Sequence, residues 1–386
     1  MRLACIVFFL WNPNDGLRKI DKLKTGDGGE SHANFGYVLD VIGINQQFVI
    51  ATKDDSIKDV LLASSAPGQD DVFYNTAYTP DDSDPDETKA IEAQASYFFV
   101  YNRSTISLYD ISLRTGNNAQ YLFNYSPNLS VMMNFGIVGR DAYTRIKQAL
   151  FFISDTVANE EPDIYVLNGS SPQSIGNFII QDAIKHEVDL SSIKIEAYQK
   201  DKQDFLVLHL NNATYQYSLS TSQWNKLESN ANDDNKSAIN YRNQYFVNDS
   251  RTGKYIVFDK YEKRYGYLDM DVGTEYGQNI TATFYTEEIV NAPIPTTWLG
   301  LTGNFGYYKQ YEAPVIAVTC IKNGLGGGLI QGSIKMPIGG NRKRYLKEMV
   351  GSKIEGSHTY KLEITGAYKY EFDAAFYTNE EARALR

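Results

Sequence analysis

The chain has 386 residues, 29 of them Tyr and 19 Phe, with 22% charged residues and only 11 Pro. That composition excludes a disordered chain and leaves ample length for one large β architecture or two domains. Thirty-seven basic residues stand against 47 acidic ones, a formal net charge of −10; this argues against a sequence-specific nucleic-acid binder, which would carry a basic footprint for phosphate.

At the start, Met1 to Trp11 is an apolar run with one positive charge, superficially like a signal peptide. The turn formers Asn12-Pro13-Asn14-Asp15-Gly16 follow at once, no small-residue cleavage site appears, and the run is too short to cross a bilayer. Two strands joined at Asp15-Gly16 are expected instead, with no membrane segment. Tyr37 to Ile44 and Gln47 to Ala51 read as hairpin material. Residues 66–90 are expected to form an acidic loop insertion, built on Pro67-Gly68-Gln69-Asp70-Asp71 and on Pro80 to Glu87. Asp82, Asp84 and Asp86 alternate as calcium ligands would. An EF-hand loop opening at Asp82 needs Gly at position 87 and Glu at 93, however, and the chain has Glu87 and Ala93, so a solvated loop is the reading.

From Tyr97 to Trp224 one cycle returns three times: a buried aromatic or aliphatic strand, a polar connection, then a strand alternating with period two. Tyr97 to Tyr101 is followed by Thr105 to Asp110, Ala149 to Ile153 by Asp163 to Leu167, and Phe205 to Leu210 by Ala213 to Leu219. Evenly spaced antiparallel hairpins of this kind predict the blades of a β-propeller. Helix is expected only in short pieces such as Phe178 to Lys185, and the C-terminal end, Glu380 to Arg386, reads as short helix or frayed chain. A polar excursion, Ser229 to Lys236, precedes further strands at 244–247, 254–259 and 265–268. Near residue 280 the texture changes to longer strands, including Pro314 to Cys320, Tyr360 to Thr365 and Tyr368 to Phe376. The expected fold is therefore all-β: a propeller-like domain over 1–279, with the 66–90 insertion, and a β-sandwich-like C-terminal domain over 280–386.

Chemistry is sparse. His32, His186, His209 and His358 are scattered without metal spacing, and His209 inside an apolar strand reads as a structural, hydrogen-bonded histidine. Cys5 and Cys320 follow no redox or metal pattern and read as isolated buried thiols. Gly324 to Leu329 almost scans as a dinucleotide fingerprint, but position 329 is Leu and no β–α context surrounds it, so a loop or wide hairpin turn is expected. No serine elbow, Walker lysine, sialidase box, Trp-Asp repeat or isolated carboxylate pair stands out. No catalytic, cofactor-binding or metal-binding residue is nominated, and no cofactor is expected. Basic residues gather at Arg342, Lys343, Arg344 and Lys347, with Lys335 and Lys353 nearby; this is either a partner interface or a solvated turn.

The order Phe123 to Val131, Asn134-Phe135-Gly136-Ile137-Val138-Gly139, Ala149 to Ser154, Ile164 to Gly169, Pro172 to Gly176 and Ile179 to Ile184 resembles the packaged-DNA stabilisation protein of short-tailed bacteriophages. The likeness continues through Phe205 to Leu210, the Tyr217 and Trp224 pair, Lys343 to Gly351 and Tyr360 to Thr365, covering Tyr97 to Glu371 closely and Met1 to Ala95 loosely. Family members usually carry a longer N-terminal portion, so the resemblance implies that this chain enters the blade pattern partway. It also implies a non-enzymatic virion protein, the tail hub or nozzle of the head–tail connector. Such a protein is assembled in the host cytoplasm as a homohexameric ring. It closes the portal channel, retains packaged DNA until genome ejection, and joins the adaptor to distal needle, fibre or spike proteins. DNA would pass its lumen without specific binding, and the acidity would either line that lumen or keep the outer surface soluble. The rival reading is a carbohydrate-binding or hydrolysing β-propeller of a tail fibre or secreted protein.

Overall fold

The computed structural model describes strand backbones from Phe8 to Thr378. It describes side chains over 88–93, 97–110, 133–157, 161–168, 171–200, 202–230, 238–269, 274–286, 316–321 and 359–365, with a few isolated positions besides. Two compact units, Met1–Lys226 and Leu227–Arg386, divide the chain. The division falls inside the strand Gln223–Asn230. The domain boundary proposed at 279/280 rests on a different criterion, strand texture, and stays a proposal. As expected, the protein is all-β, and its sheets are assembled chiefly from strands that follow one another in sequence.

In the first unit, Phe8–Asn12 pairs antiparallel with Gly16–Ile20, with Asn12 opposite Gly16 at the turn. A five-stranded sheet follows, in the order Lys24–Thr25, Gln69–Phe73, Val60–Ala66, Gln47–Lys53, Tyr37–Ile44. The expectation of one loop over 66–90 needs correction. Gln69–Phe73 is a strand paired with Val60–Ala66, because Pro67-Gly68 supplies a turn and Val72-Phe73 continues as strand formers. At the other end, Thr88–Gln94 is a strand whose Ala90 and Ile91 are buried. Residues 74–87, with Asp82, Asp84 and Asp86, lie outside the described residues.

Next comes a four-stranded blade, Thr88–Gln94, Tyr97–Asn102, Ile106–Thr115 and Tyr121–Pro127, each strand paired with its neighbour in sequence. A second blade repeats the plan with Tyr143–Ile146, Ala149–Ser154, Asp163–Leu167 and Pro172–Ser174. The sequence explains why this blade is buried on both faces. Successive side chains of a strand point to opposite faces, and Ala149 to Ile153 has no polar residue to spend on either. Leu150 and Phe152 join Tyr165 and Leu167 in one cluster with Tyr101, Ile106, Phe135 and Ile137 of the preceding blade and linker. Phe151 and Ile153 join Ile164 in another, with Ile195, Leu206, Leu208 and Tyr217 of the following blade.

That third blade comprises Lys194–Lys200, Gln203–His209, Thr214–Ser218 and Gln223–Asn230, the last of which carries the chain into the second unit. Between the second and third blades sits the expected helix, Phe178–Lys185, whose Asn177 side chain accepts the N–H of Ile180 as N-cap and whose Ile180 and Ile184 face the core. Two-residue loops join the first and second strands of the second and third blades. Lys147 and Lys202 take positive φ (58° and 66°) there, as the twist of tight hairpins demands.

In the second unit, Ala238–Asn240 pairs with the end of Gln223–Asn230. A three-stranded sheet then runs Asn243–Asp249, Lys254–Asp259, Arg264–Leu268, with a bulge between Gln244 and Val247 where Tyr245 adopts φ 60°. Thr274–Glu275 and Gln278–Asn279 close a hairpin at Tyr276-Gly277, both at positive φ. The remainder is sandwich-like. One sheet orders Thr281–Tyr285, Gly356–Thr365, Val315–Lys322 and Leu329–Lys335, with Ile289–Ala292 also on Gly356–Thr365. The other orders Lys343–Glu348, Trp298–Tyr307, Lys369–Thr378. Cys320 is buried; Cys5, the glycine-rich 323–328 and 380–386 lie outside the described residues.

Candidate functional site: polar latches between blades

Stacking apolar sheets face to face fixes no register between them, because the hydrophobic effect is non-directional. Directional contacts at the junctions supply what is missing. At the first junction, Arg145 of Tyr143–Ile146 reaches back to the preceding blade. Its Nε donates to Glu92 Oε2 at 2.6 Å and its Nη2 to Tyr101 Oη at 2.9 Å. The guanidinium lies 4.6 Å from the Phe99 ring centroid. The Tyr101 hydroxyl itself donates to Glu92. Burial, then the neighbouring Glu92 carboxylate, push the Tyr101 hydroxyl well above its ordinary value, so it stays a neutral donor. Alongside, Arg103 grips Asp155 as a two-pronged fork, Nη1 to Oδ1 and Nη2 to Oδ2. Its hydrogen bonds hold the Asp155 carboxyl below the usual range.

The linker at 133–142 threads the same junction. Ile137 donates its N–H to Asn102 O at 2.9 Å and Val138 to Ile153 O at 3.0 Å, while Met133 exchanges two backbone bonds with Ile106 and Ala142 O accepts from Ile153 N, so the linker is bonded to both blades. Gly136 is required there, because a Cβ would lie 2.3 Å from the Asn102 carbonyl oxygen.

At the second junction Asp163 is the organising residue. It accepts from its own strand at Ile164 N (2.7 Å), from Ser174 Oγ (2.6 Å) and from Gln181 Nε2 on the helix (2.8 Å). Gly176 passes so close that a Cβ would stand 2.0 Å from Asp163 Oδ1. Trp224, tilted against Tyr217 at 4.9 Å between centroids, donates its indole N–H to Ile175 O at 2.8 Å. Within the third blade, His209 is the buried, partnered histidine that the sequence suggests: its Nε2 lies 2.9 Å from Glu196 Oε2, and Lys194 Nζ lies 3.0 Å from Oε1. Burial would raise the Glu196 carboxyl, but His209 and Lys194 outweigh it and lower the value.

The second unit has its own network. Asp259, fully buried, accepts the N–H of Tyr261 at 3.0 Å, Arg264 Nε at 3.2 Å and Arg242 Nη1 at 3.3 Å. Glu275 Oε1 accepts from Ser229 Oγ at 3.0 Å and Asn243 Nδ2 at 2.9 Å. Burial raises the Glu275 carboxyl despite these donors, and Asp259 adds to the rise. Arg264 also covers the Tyr276 ring at 4.2 Å, and Gly266 leaves room for that ring on the sheet.

Apart from His209, the sequence singles out none of these charged residues. Glu92 and Arg145 stand 53 positions apart, and Arg103 and Asp155 stand 52 apart, which leaves no local signal. One signal was legible. Asp249 and Asp259 each open a turn in which the residue four on, Gly253 or Lys263, takes positive φ and donates its N–H back to the aspartate carbonyl. The recurrence at ten residues marks successive hairpins. Of the nominated basic residues, Lys343, Arg344 and Lys347 lie on the edge strand Lys343–Glu348, opposite Gly303, Thr302 and Leu299 of Trp298–Tyr307; Arg342 and Lys353 lie outside the described residues. Among the described residues no group of His, Cys, Asp and Glu could hold a metal ion, and no helix is long and apolar enough to cross a membrane.

Sheets of sequential antiparallel strands, stacked so that the middle blade is buried on both faces and latched at the junctions, define a β-propeller-type protein. Over residues 8–273 the chain matches the phage-stabilisation family described as Bacteriophage P22 Gp10, beta-propeller, and it belongs to that family. It is thus a phage structural protein of the DNA-stabilisation class. The match reaches further toward the N-terminus than the motifs from Tyr97 onward suggest, and it ends before Lys343 to Gly351 and Tyr360 to Thr365. No curated protein matches the chain. Among solved structures it is similar to a glycoside hydrolase family 43 arabinoxylan arabinofuranohydrolase from Bacillus subtilis, in complex with cellotetraose. The identity is 9% over 97% of this chain and 92% of that one, with a TM-score of 0.25, too low to bear on function.

Proposed function

We propose that the protein is a non-enzymatic tail hub or nozzle, which closes the portal channel, retains packaged DNA and joins the adaptor to the distal tail. The observation that carries this reading is family membership across residues 8–273. The latched blades support it, since a wall that holds pressurised DNA must not shear between its sheets. Six copies in a ring are the expected assembly, formed when one heterologous interface repeats and closes. The net charge of −10 per chain would keep phosphates from adhering to such a wall. The strand Lys343–Glu348 suits a partner contact, because an edge strand offers unpaired backbone groups beside its lysines and arginine.

Deleting the gene tests the reading. Heads should fill and then lose their DNA. Full, stable particles that fail to adsorb would overturn the hub and favour the carbohydrate-directed propeller. Complementation with Arg342→Glu, Lys343→Glu and Arg344→Glu together should reproduce the leak. Full rescue by that variant would make the segment an ordinary surface strand.

A further inference from the structure

The sheet over 243–268 is covered on one face only. Its inner face carries buried Val257 and the Gly266 floor under Tyr276. Its outer face follows from the register: Val247, Ile256 and Tyr267 form one cross-strand row, and Gln244, Phe258 and Tyr265 the next. Partners directly opposite share a face. Tyr265 is 76% exposed, Val247 58% and Tyr267 53%. The Phe258 ring stands 5.3 Å from Tyr265 and 6.1 Å from Tyr245, which is also exposed, so the aromatics form one continuous patch. Tyrosine-rich exposed patches of this kind mark protein interfaces, where a large ring buries area and its hydroxyl tolerates water.

Charge selects the occupant. In a chain with more acidic than basic residues, 250–265 carries five basic residues against two acidic ones. The reverse holds over 155–189, where the exposed carboxylates Glu161, Asp182 and Asp189 stand against a single lysine, Lys185, which pairs with Glu161. That acidic stretch also shows bare apolar side chains: Phe178 is 81% exposed and Ile179 62%, at the first turn of the helix, beside exposed Asp182 and Glu161. Each surface has what the other lacks. Because the two are different surfaces of one chain, docking between copies is head to tail, the kind of contact that propagates and closes into a ring.

We infer that the aromatic, basic face of the 243–268 sheet of one copy docks on the acidic helix segment at 155–189 of a second copy. The inference rests on the proposed ring and names the surfaces that would build it. Lys260 and Lys263 would face Glu161 and Asp182, while Tyr265 and Tyr267 would cover Phe178 and Ile179.

Sedimentation velocity of the purified full-length chain across concentration tests this. Lys260→Glu with Lys263→Glu should weaken self-association by about tenfold or more, as should Glu161→Lys with Asp182→Lys. Combining all four reversals should restore association to within about threefold of the wild type. Tyr265→Ser should weaken it too, with an unchanged melting temperature of the dissociated chain. Rings that form normally with either pair reversed overturn these surfaces and leave the ring standing, as does a quadruple variant that fails to recover. Wild-type chains that stay monomeric at every concentration overturn both the surfaces and the ring.

Discussion

The blade over 143–174 and the sheet over 243–268 are built alike, from short antiparallel strands joined by tight turns, yet they spend their side chains differently. The first sends apolar groups to both faces, Leu150 and Phe152 one way, Phe151 and Ile153 the other. The second buries Val257 on one side and leaves Tyr265 and Val247 largely open on the other. Burial on both faces makes a sheet part of the core, where each residue contributes to stability. Burial on one face makes it a platform, where the open residues can be exchanged at little cost to the fold. The same architecture therefore serves as filling in one place and as surface in another.

The largest expected effect separates those roles directly. Phe152→Ala should cost about 3–5 kcal/mol, since it leaves a cavity between stacked blades. Tyr265→Ala should change the stability of the isolated chain by no more than about 0.5 kcal/mol. Urea denaturation of both variants decides it, and equal losses would erase the distinction.

The polar networks come next. Arg242→Met should cost about 3 kcal/mol, because it removes a cationic partner from a buried Asp259. Lys147→Met removes only an exposed lysine paired with Asp204 at 2.8 Å, and should cost within about 0.5 kcal/mol. A stable Arg242→Met variant would show that Arg264 and the turn N–H groups suffice for Asp259.

The smallest effect is one of sign with pH. Glu196 and Asp155 have lowered folded values. Their contribution is present above the ordinary 4.5 and 3.8 and is lost as pH falls through the folded values. Glu275, raised by burial, behaves oppositely: its contribution is full below 4.5 and is lost as pH rises through its raised folded value. Between about pH 5 and about pH 3, hydrogen exchange corrected for intrinsic rates should therefore speed up in peptides covering 194–209 and slow near 275. Exchange that moves the same way in both would refute the opposed shifts.

The hairpins were legible in the sequence because both strands and their turn lie within about twenty residues, and because a run such as Ala149 to Ile153 leaves no polar face. The helix was legible to its ends, since Asn177 caps it and Ile180 and Ile184 fall four apart. Gln69–Phe73 was missed because two aspartates and a glutamine outweigh Val72 and Phe73 in any reading by composition. The bulge at Tyr245 was missed because a tyrosine at positive φ has no sequence signature. The latches were missed for a deeper reason: Arg145 is an ordinary strand residue until Glu92 and Tyr101 are brought against it, and only the stacking of blades does that.

A run such as Ala149 to Ile153, apolar at every position, also gives up a safeguard. In a strand with one wet face, slipping by one residue throws the hydrophobic side into water, and the penalty corrects the error. If Ala149–Ser154 slipped by one, Leu150 and Phe152 would trade places with Phe151 and Ile153, and every one of them would still be dry. Water does not proofread this alignment. What does is shape, together with fixed points at the ends of the strand: the left-handed turn at Lys147, the reach of Arg145 to Glu92, and the bond from Val138 to Ile153. The charged contacts at the blade edges thus carry the information that the greasy centre does not contain.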